Sequence, residues 1–317
     1  MAAPNDLGIG DLGPADRIAT GGSATVYRAH QARFGREVAV KVFHDRTDGD
    51  DRVAAERLAL GAVSANAGAV TVLDDGVTTS GEPYLLFPFF ARGSLHHWVR
   101  RHGPLPLGDA LFLLQPVADT LADLHASELA HRDVKPGNIL LTDRFRPRLT
   151  DFGVATPIGT MAPYAFTPGY GAPESAPGMP PRPTDAGLDV HGFGATLCFV
   201  LTGATPEDAR EATGDTRRRW DELPEPIREL IERCTATDPA DRPPDGTAVA
   251  AQLRRAGRLA ERDLLGAADP TGGADVERRV ARRPAIGPMP ALATVRDRWP
   301  WLVTGAGALL VAGGLLA

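Results

Sequence analysis

Sulfur is scarce in this sequence. Its 317 residues hold two cysteines, Cys198 and Cys234, far apart in LCFVL and IERCTA. No CxxC or Cys/His grouping supports a zinc site, and two thiols make no disulfide framework. Both read as buried, reduced thiols in helical surroundings. Positive charge is not in excess: 34 Lys and Arg stand against 40 Asp and Glu, a net charge of −6. That balance gives no electrostatic case for a nucleic-acid partner. Arg218 and Arg219 form a short basic run that reads as solvated surface. His96, His97 and His102 lack a metal-like partner set and also read as surface residues. The first residues, MAAPNDLGIGDLG, have no basic segment followed by an apolar core, so no secretory leader is expected. The bulk of the chain is then expected in the cytoplasm. No internal repeat is found. At 43% hydrophobic and 23% charged the composition is ordinary for a globular protein. The length allows one large domain, or two lobes plus an appendage.

One long apolar run is present. Residues 301–317, WLVTGAGALLVAGGLLA, carry no charge. Their length is at the lower edge of the roughly 17–25 residues that cross a bilayer. Arg296, Arg298, Trp299 and Trp301 are the flanks expected of a spanning helix. The reading is therefore a transmembrane helix over 299–317, at the cell membrane, single-pass, with the bulk cytoplasmic. A buried terminal helix is the alternative. Thr304, Ala308 and Ala312 are small and four apart, which admits a helix–helix contact and so a homodimer; a plain small-residue tail is the preferred reading. Residues 261–298 are rich in Gly, Pro, Ala, Asp and Arg and read as a flexible juxtamembrane linker. Arg278, Arg279, Arg282 and Arg283 in it fit either anionic lipid or solvent.

Upstream, residues 1–13 read as a flexible arm. Strands are expected at Ile18–Ala19, Thr25–Ala29, Glu37–Phe43, Val70–Leu73 and Tyr84–Phe90, the last two joined by a glycine-containing hairpin. Helical spacing is expected over Asp51–Ser64. From about residue 94 the pattern is helical: Leu107–Ala126, Leu188–Thr202, Pro226–Ala236 and Gly246–Gly257. Pro116 lies inside the first of these, where an interior proline costs about 3 kcal/mol, so a kink or break is expected. Gly203 reads as a C-terminal stop. The segment Ala204–Pro224 is the least readable. The order is a small sheet lobe followed by a larger helical lobe, an α+β arrangement.

The densest polar stretch is HRDVKPGN, residues 131–138. Asp151-Phe152-Gly153 and Ala172-Pro173-Glu174 follow it, and Lys41 in VAVKV and Glu56 precede it. Each alone is a weak signal. Together, in this order and spacing, they resemble the protein kinase superfamily, specifically the eukaryotic-like Ser/Thr protein kinases of bacteria.

The resemblance covers roughly residues 14–258 and implies a bilobal kinase domain over 14–260, with an N-lobe at 14–90 and a C-lobe at 91–260. It implies ATP and Mg2+ as cofactors, and proteins with Ser/Thr acceptors as substrates. Phosphoryl transfer needs positioning and charge neutralisation more than covalent chemistry. Asp133 is similar to the catalytic aspartate, and Lys135 to the lysine that reaches the γ-phosphate. Asn138 and Asp151 would give magnesium the oxygen ligands it prefers. Lys41 would meet the α- and β-phosphates and pair with Glu56. In an apolar strand an unpaired ammonium would be costly, which favours that pairing. Ile18, Ala19, Gly21, Gly22, Val26, Ala39, Phe87, Phe90 and Leu140 fall at family positions around the nucleotide, with Phe87 the gate to the back pocket and Pro88 beside it at the hinge. Lys135 matches Ser/Thr rather than tyrosine kinases, and Thr167 matches a threonine that helps dock the acceptor hydroxyl. Glu174 with Arg242 resembles a buried ion pair that tethers the substrate-binding segment. Asp189 resembles the aspartate that holds the catalytic-loop backbone. Thr156 and Thr160 are the expected autophosphorylation sites, with Arg132 as the phosphate's partner.

The turn IATGGSATVY, residues 18–27, departs from the family. Ala19 and Ala24 occupy the first and third glycine places, and Gly21 the second. Alanine is harmless where φ is negative and costly where it is positive. The expectation is a working phosphate flap, stiffer and with weaker ATP affinity. The competing reading is a nucleotide-binding pseudokinase scaffold at the membrane.

Overall fold

The computed structural model describes residues 6–44, 48–163 and 165–265. The described residues fall into two compact units.

The smaller unit runs to Val53 and resumes over Val72–Phe89. It is built on five antiparallel strands: β1 (Asp16–Thr20), β2 (Ala24–Gln31), β3 (Arg36–Phe43), β4 (Asp74–Val77) and β5 (Pro83–Pro88), in the order β1-β2-β3-β5-β4. Alternation in β3 decides the faces. Val38, Val40 and Val42 join Ala15, Ala29, Tyr84 and Leu86 in a buried cluster. Leu7, Ile9 and Leu12 pack on this cluster. The arm is also tied by backbone: Thr79 N–H donates to the Leu7 carbonyl and Ala32 N–H to that of Asp11. Residues 6–13 are therefore bound to the sheet rather than loose. Three apolar side chains in an irregular segment carry no period, yet they fit the face that the valines leave uncovered. Residues 1–5 lie outside the described residues.

The expected strand at Val70–Leu73 is displaced. The fourth strand is Asp74–Val77, a polar edge. Ala69 and Val70 are buried instead in the larger unit, where Val70 N–H donates to the Leu149 carbonyl. Their hydrophobicity serves that contact and not a ladder. The hairpin between β4 and β5 turns at Gly81, with φ +84°.

Helix α1 (Asp48–Ala62) straddles the division; the larger unit takes residues 54–71 and the chain from Phe90 onward. It contains α2 (Leu95–His102), α3 (Leu107–Ala126), the short strands β6 (Leu129–Ala130), β7 (Ile139–Leu141), β8 (Pro147–Leu149) and β9 (Thr156–Pro157), then α4 (Gly187–Thr202), α5 (Pro206–Glu211), α6 (Gly214–Asp221), α7 (Glu225–Cys234) and α8 (Gly246–Leu265). Helix α4 is buried on all sides from Asp189 to Thr202, as its apolar sequence requires. Helices α3 and α7 pack on α4 and on α8. Gly203 ends α4 at φ +83°, the left-handed cap position.

Helix α3 runs unbroken through Pro116, against expectation. Six of its side chains from Leu113 to Leu124 are buried apolar groups, and this packing outweighs the proline's cost. The Pro116 carbonyl accepts the Thr120 hydroxyl at 2.8 Å. Helix α8 extends to Leu265, into the stretch expected to be linker. The rest of that linker and the apolar run at 299–317 lie outside the described residues. Among the described residues, no helix is long and apolar enough to cross a membrane.

Candidate active site

The turn between β6 and β7 gathers the polar groups. Its backbone is held at an unusual geometry: Arg132 has φ +68°, and Asp151 after β8 has φ +64°. Left-handed backbone at non-glycine residues persists only where surroundings over-determine it. Here Asp189, fully buried in α4, supplies the constraint. Its Oδ2 accepts the His131 N–H at 2.7 Å, and its Oδ1 the Arg132 N–H at 2.6 Å. His125 Nε2 completes the set, 2.9 Å from Oδ2. Burial works to raise the Asp189 pKa, but the hydrogen bonds from His125 and from the His131 backbone outweigh it and hold it below the usual range. His125 Nδ1 accepts the Gly246 N–H at 2.8 Å, so one imidazole bridges α4 and the start of α8.

Past Arg132 the chain presents Asp133, with both carboxylate oxygens engaged. Oδ1 accepts the Thr167 hydroxyl at 2.9 Å. Oδ2 lies 2.7 Å from Lys135 Nζ and accepts from Asn138 Nδ2 at 2.9 Å. Lys135 Nζ also donates to Thr167 Oγ1 at 3.0 Å. All four side chains are buried. The sequence places Thr167 far from Asp133; the fold closes them into one ring. Lys135, assigned to a phosphate by resemblance, here bridges the aspartate and the threonine.

Asn138 bears on the metal. Its amide nitrogen is spent on Asp133, while its Oδ1 is buried without a hydrogen-bond partner. An orphaned buried oxygen is costly unless something coordinates it. A hard divalent cation fits that oxygen.

The segment from Asp151 to Glu174 is tethered at both ends. Arg132 Nη1 donates to the Val154 carbonyl at 3.3 Å and to Thr156 Oγ1 at 3.0 Å, and its Nη2 to the Pro163 carbonyl. Thr156 is half-buried in β9, whereas Thr160 is exposed. The segment around Thr160 pairs with the chain before α4, through Thr184 N–H to the Thr160 carbonyl at 2.8 Å. At the far end Arg242 and Glu174 form a buried two-pronged pair at 2.7 and 2.8 Å. Burial tends to raise the Glu174 pKa, but the guanidinium outweighs it and lowers it. Arg242 also reaches the carbonyls of Ala236, Thr237 and Gly187, so it joins three stretches of chain to that segment.

In the smaller unit the turn between β1 and β2 is closed by Gly21 N–H to the Ala24 carbonyl at 2.8 Å. Ala19 is the last residue but one of β1 and Ala24 begins β2; both are buried. Among the described residues positive φ occurs outside glycine at Glu128, Arg132, Phe145 and Asp151. Ala19 and Ala24 are not among them, so their Cβ atoms cost the turn no backbone strain. Ile18 is the extra residue of a bulge, since Arg17 pairs with Tyr27 and Ala19 with Val26. Cross-strand register puts Ala19, Val26, Lys41, Ala39 and Phe87 on one face, opposite the valine cluster. Lys41 is half-buried on that face, 5.3 Å from the Phe43 ring. The argument from a costly buried ammonium is thus weakened, because Lys41 is only half-buried on its face while the valines of β3 are fully buried on the other. Gly22 is exposed at the turn. Glu56, Phe90, Leu140 and Asp151 belong to the larger unit, Glu56 being buried in α1 and Leu140 half-buried in β7.

The histidines of α2 differ from expectation. His96 is buried, stacked on Phe199 at 4.9 Å, and burial with the Arg100 and His97 charges pushes its pKa down to about 4. His102 stacks on Trp98 at 3.8 Å, and His97 is half-buried. Aromatic neighbours absorb them where the sequence alone offered only their polarity. Cys198 and Cys234 are fully buried, and burial raises both thiols to about 12.

A model of the protein kinase domain matches residues 14–253. The chain belongs to the protein kinase domain family. It is 38% identical over 259 residues to the serine/threonine-protein kinase PknK of Mycobacterium bovis, covering 75% of this chain and 23% of that protein. Serine/threonine-protein kinase PknL of Mycobacterium tuberculosis is 33% identical over 256 residues, covering 75% of this chain and 63% of that protein. PkaA of Streptomyces coelicolor, named likewise, is 34% identical over 258 residues, covering 71% and 46%. The kinase domain here thus matches from under a quarter to under two thirds of the length of these relatives.

His125 is the functional side chain that sequence reasoning missed. It closes the amphipathic α3 and carries no motif. Its one legible signal is a histidine at the end of a helix whose inward positions are mostly apolar.

Proposed function

We propose that this chain is a Ser/Thr protein kinase that transfers the ATP γ-phosphoryl group to hydroxyls of protein acceptors. The ring of Asp133, Lys135, Thr167 and Asn138 carries the reading. Magnesium-bound ATP would supply the phosphoryl group and the cation that neutralises it, held by Asn138 and Asp151. Asp133 orients the acceptor hydroxyl and takes its proton. Lys135 keeps Asp133 aimed, and Thr167 fixes the edge at which the acceptor arrives. Lys41 with Glu56 would align the phosphates.

The chain with magnesium and labelled ATP should label itself and a generic acceptor. Asp133→Asn should lower the rate by about 10²–10⁴-fold, the usual worth of a general base. Lys41→Met should fall comparably. If wild type transfers no more than these variants, the nucleotide-binding scaffold takes its place. Autophosphorylation belongs to this reading. Thr160 is the first candidate because its side chain is exposed, while that of Thr156 is held by Arg132. Mass spectrometry of active protein with neither threonine modified would remove it. A tether through residues 299–317 rests on their apolar run and its Arg/Trp flanks. Protein found soluble without detergent after fractionation would refute that tether, and with it a homodimer formed through Thr304, Ala308 and Ala312.

A further inference from the structure

Helix α4 is apolar, and among its 16 residues only Asp189 and His191 bear a carboxylate or a basic nitrogen. Both are buried. A buried polar group in such a helix is costly unless it is paired. Asp189 is accounted for by the backbone of His131 and Arg132. His191 lies two residues on, which turns it to a different face of the helix. There its Nδ1 is 3.1 Å from the Tyr170 carbonyl. A carbonyl only accepts, so Nδ1 carries the proton. Burial lowers the His191 pKa more than the Tyr170 hydrogen bond raises it, so the ring is a neutral donor at pH 7.

The carbonyl that His191 holds belongs to the peptide between Tyr170 and Gly171. The N–H of that same peptide donates to the Thr167 carbonyl at 2.7 Å. A peptide is planar, so fixing its carbonyl fixes its N–H as well. The site needs such a lock. A Cβ at Gly171 would lie 2.5 Å from the Phe166 ring, so glycine is required, and glycine leaves its peptides the most freedom to rotate. Thr167 in turn donates its hydroxyl to Asp133 Oδ1. Hydrogen bonds in series thus run from His191 through the Tyr170–Gly171 peptide and Thr167 to Asp133. Helix α4 also meets the catalytic loop directly, through Asp189 and at Gly192, where a Cβ would crowd the Val134 carbonyl. One stretch of one helix therefore holds both the aspartate's loop and the turn that carries Thr167.

We propose that His191 is a positioning residue for the acceptor: it locks the Tyr170–Gly171 peptide and so keeps Thr167 seated on Asp133. The proposal rests on the kinase reading for its purpose, but hydrogen exchange tests the lock without activity. His191→Leu removes the donor and keeps an apolar side chain in the helix. His191→Asn offers an amide N–H close to where Nδ1 stood. In the full chain the Gly171 amide should exchange about tenfold faster in the leucine variant, and near the wild-type rate in the asparagine variant, since an unpaired buried carbonyl loosens its peptide. The His131 amide, held by Asp189, should not change. Kinetics on a synthetic Ser/Thr peptide follow, at a temperature where thermal melts show every variant folded. The leucine variant should lose about tenfold in kcat/KM for the peptide with KM for ATP unchanged, and asparagine should restore it. If leucine does not fold, His191→Gln replaces it with the same expectations, because its amide falls at the Nε2 position instead. Equal Gly171 exchange in wild type and the leucine variant overturns the lock. So does a defect that asparagine leaves in place, or one that reaches KM for ATP and the His131 amide equally, which would make His191 a packing residue. A wild type that phosphorylates no peptide sinks the kinase reading instead, and the exchange rates still decide the lock.

Discussion

Asp133 depends on its neighbours, and Thr167 is the one whose removal is cleanest. Its hydroxyl donates to Asp133 and accepts from Lys135. Thr167→Ala leaves the Asp133–Lys135 pair whole and removes both of these hydrogen bonds, of which the one to the charged Asp133 is worth about 1.5–3 kcal/mol. Turnover should fall about ten- to hundredfold on that scale, with Thr167→Ser close to wild type. Steady-state kinetics on a peptide acceptor would show it, and an unaffected alanine variant would remove Thr167 from the ring. His96 makes a different prediction. Unfolded, its ring binds a proton below about 6.5; folded, only below about 4. Between these values the unfolded chain holds the extra proton, so stability declines as pH falls through the window. His96→Phe keeps a ring against Phe199 and cannot titrate. Its urea midpoint should drop less than that of wild type between pH 7 and pH 4.5. Equal drops would assign the acid sensitivity elsewhere. Such effects were hidden in the sequence because His96 looks like its neighbours His97 and His102. Only the position of Phe199 separates them.

Helix α4 shows what an element contributes. Its sequence announces a buried helix, and Gly203 announces its end. What it does for the catalytic loop is legible only through contacts over long separations. Asp189 is one; Gly192, a turn further on, is another. A Cβ built at Gly192 would lie 2.4 Å from the Val134 carbonyl, closer than any real contact. Gly192→Ala must push the loop that carries Asp133. The expected result is a loss of turnover far beyond the roughly 1 kcal/mol that glycine-to-alanine changes cost or return in helices. Thermal melts beside kinetics would separate the two, and full activity with unchanged stability would show that the loop relaxes freely. Strands were less legible than helices. Val70–Leu73 has strand composition, but Val70 is claimed by Leu149 within the larger unit, while the polar Asp74–Val77 forms the edge. Local propensity lost to tertiary burial there. In α3 the same competition ran the other way, with packing carrying a helix through Pro116.

At the scale of the molecule, the order of a sheet unit before a helical one was readable because periodicity changes from two to 3.6 near residue 94. The motif residues were readable because phosphoryl transfer tolerates few substitutes for lysine, aspartate and asparagine. Their supports were not: His125 and the arm at residues 6–13 have no motif and act through packing. That arm has a practical consequence. The family match begins at residue 14, so a domain trimmed to the match would be cut just past Leu12. The cut would strip Leu7, Ile9 and Leu12 from Val38, Val40 and Val42 and leave an apolar sheet face open to water. The shortened protein should aggregate more readily, and the amides of β3 should exchange with deuterium faster than in the full chain. Matching exchange rates would show that the arm merely rests on the sheet. If the rates diverge, the working edge of this kinase domain reaches at least to Leu7, seven residues before the edge that resemblance draws.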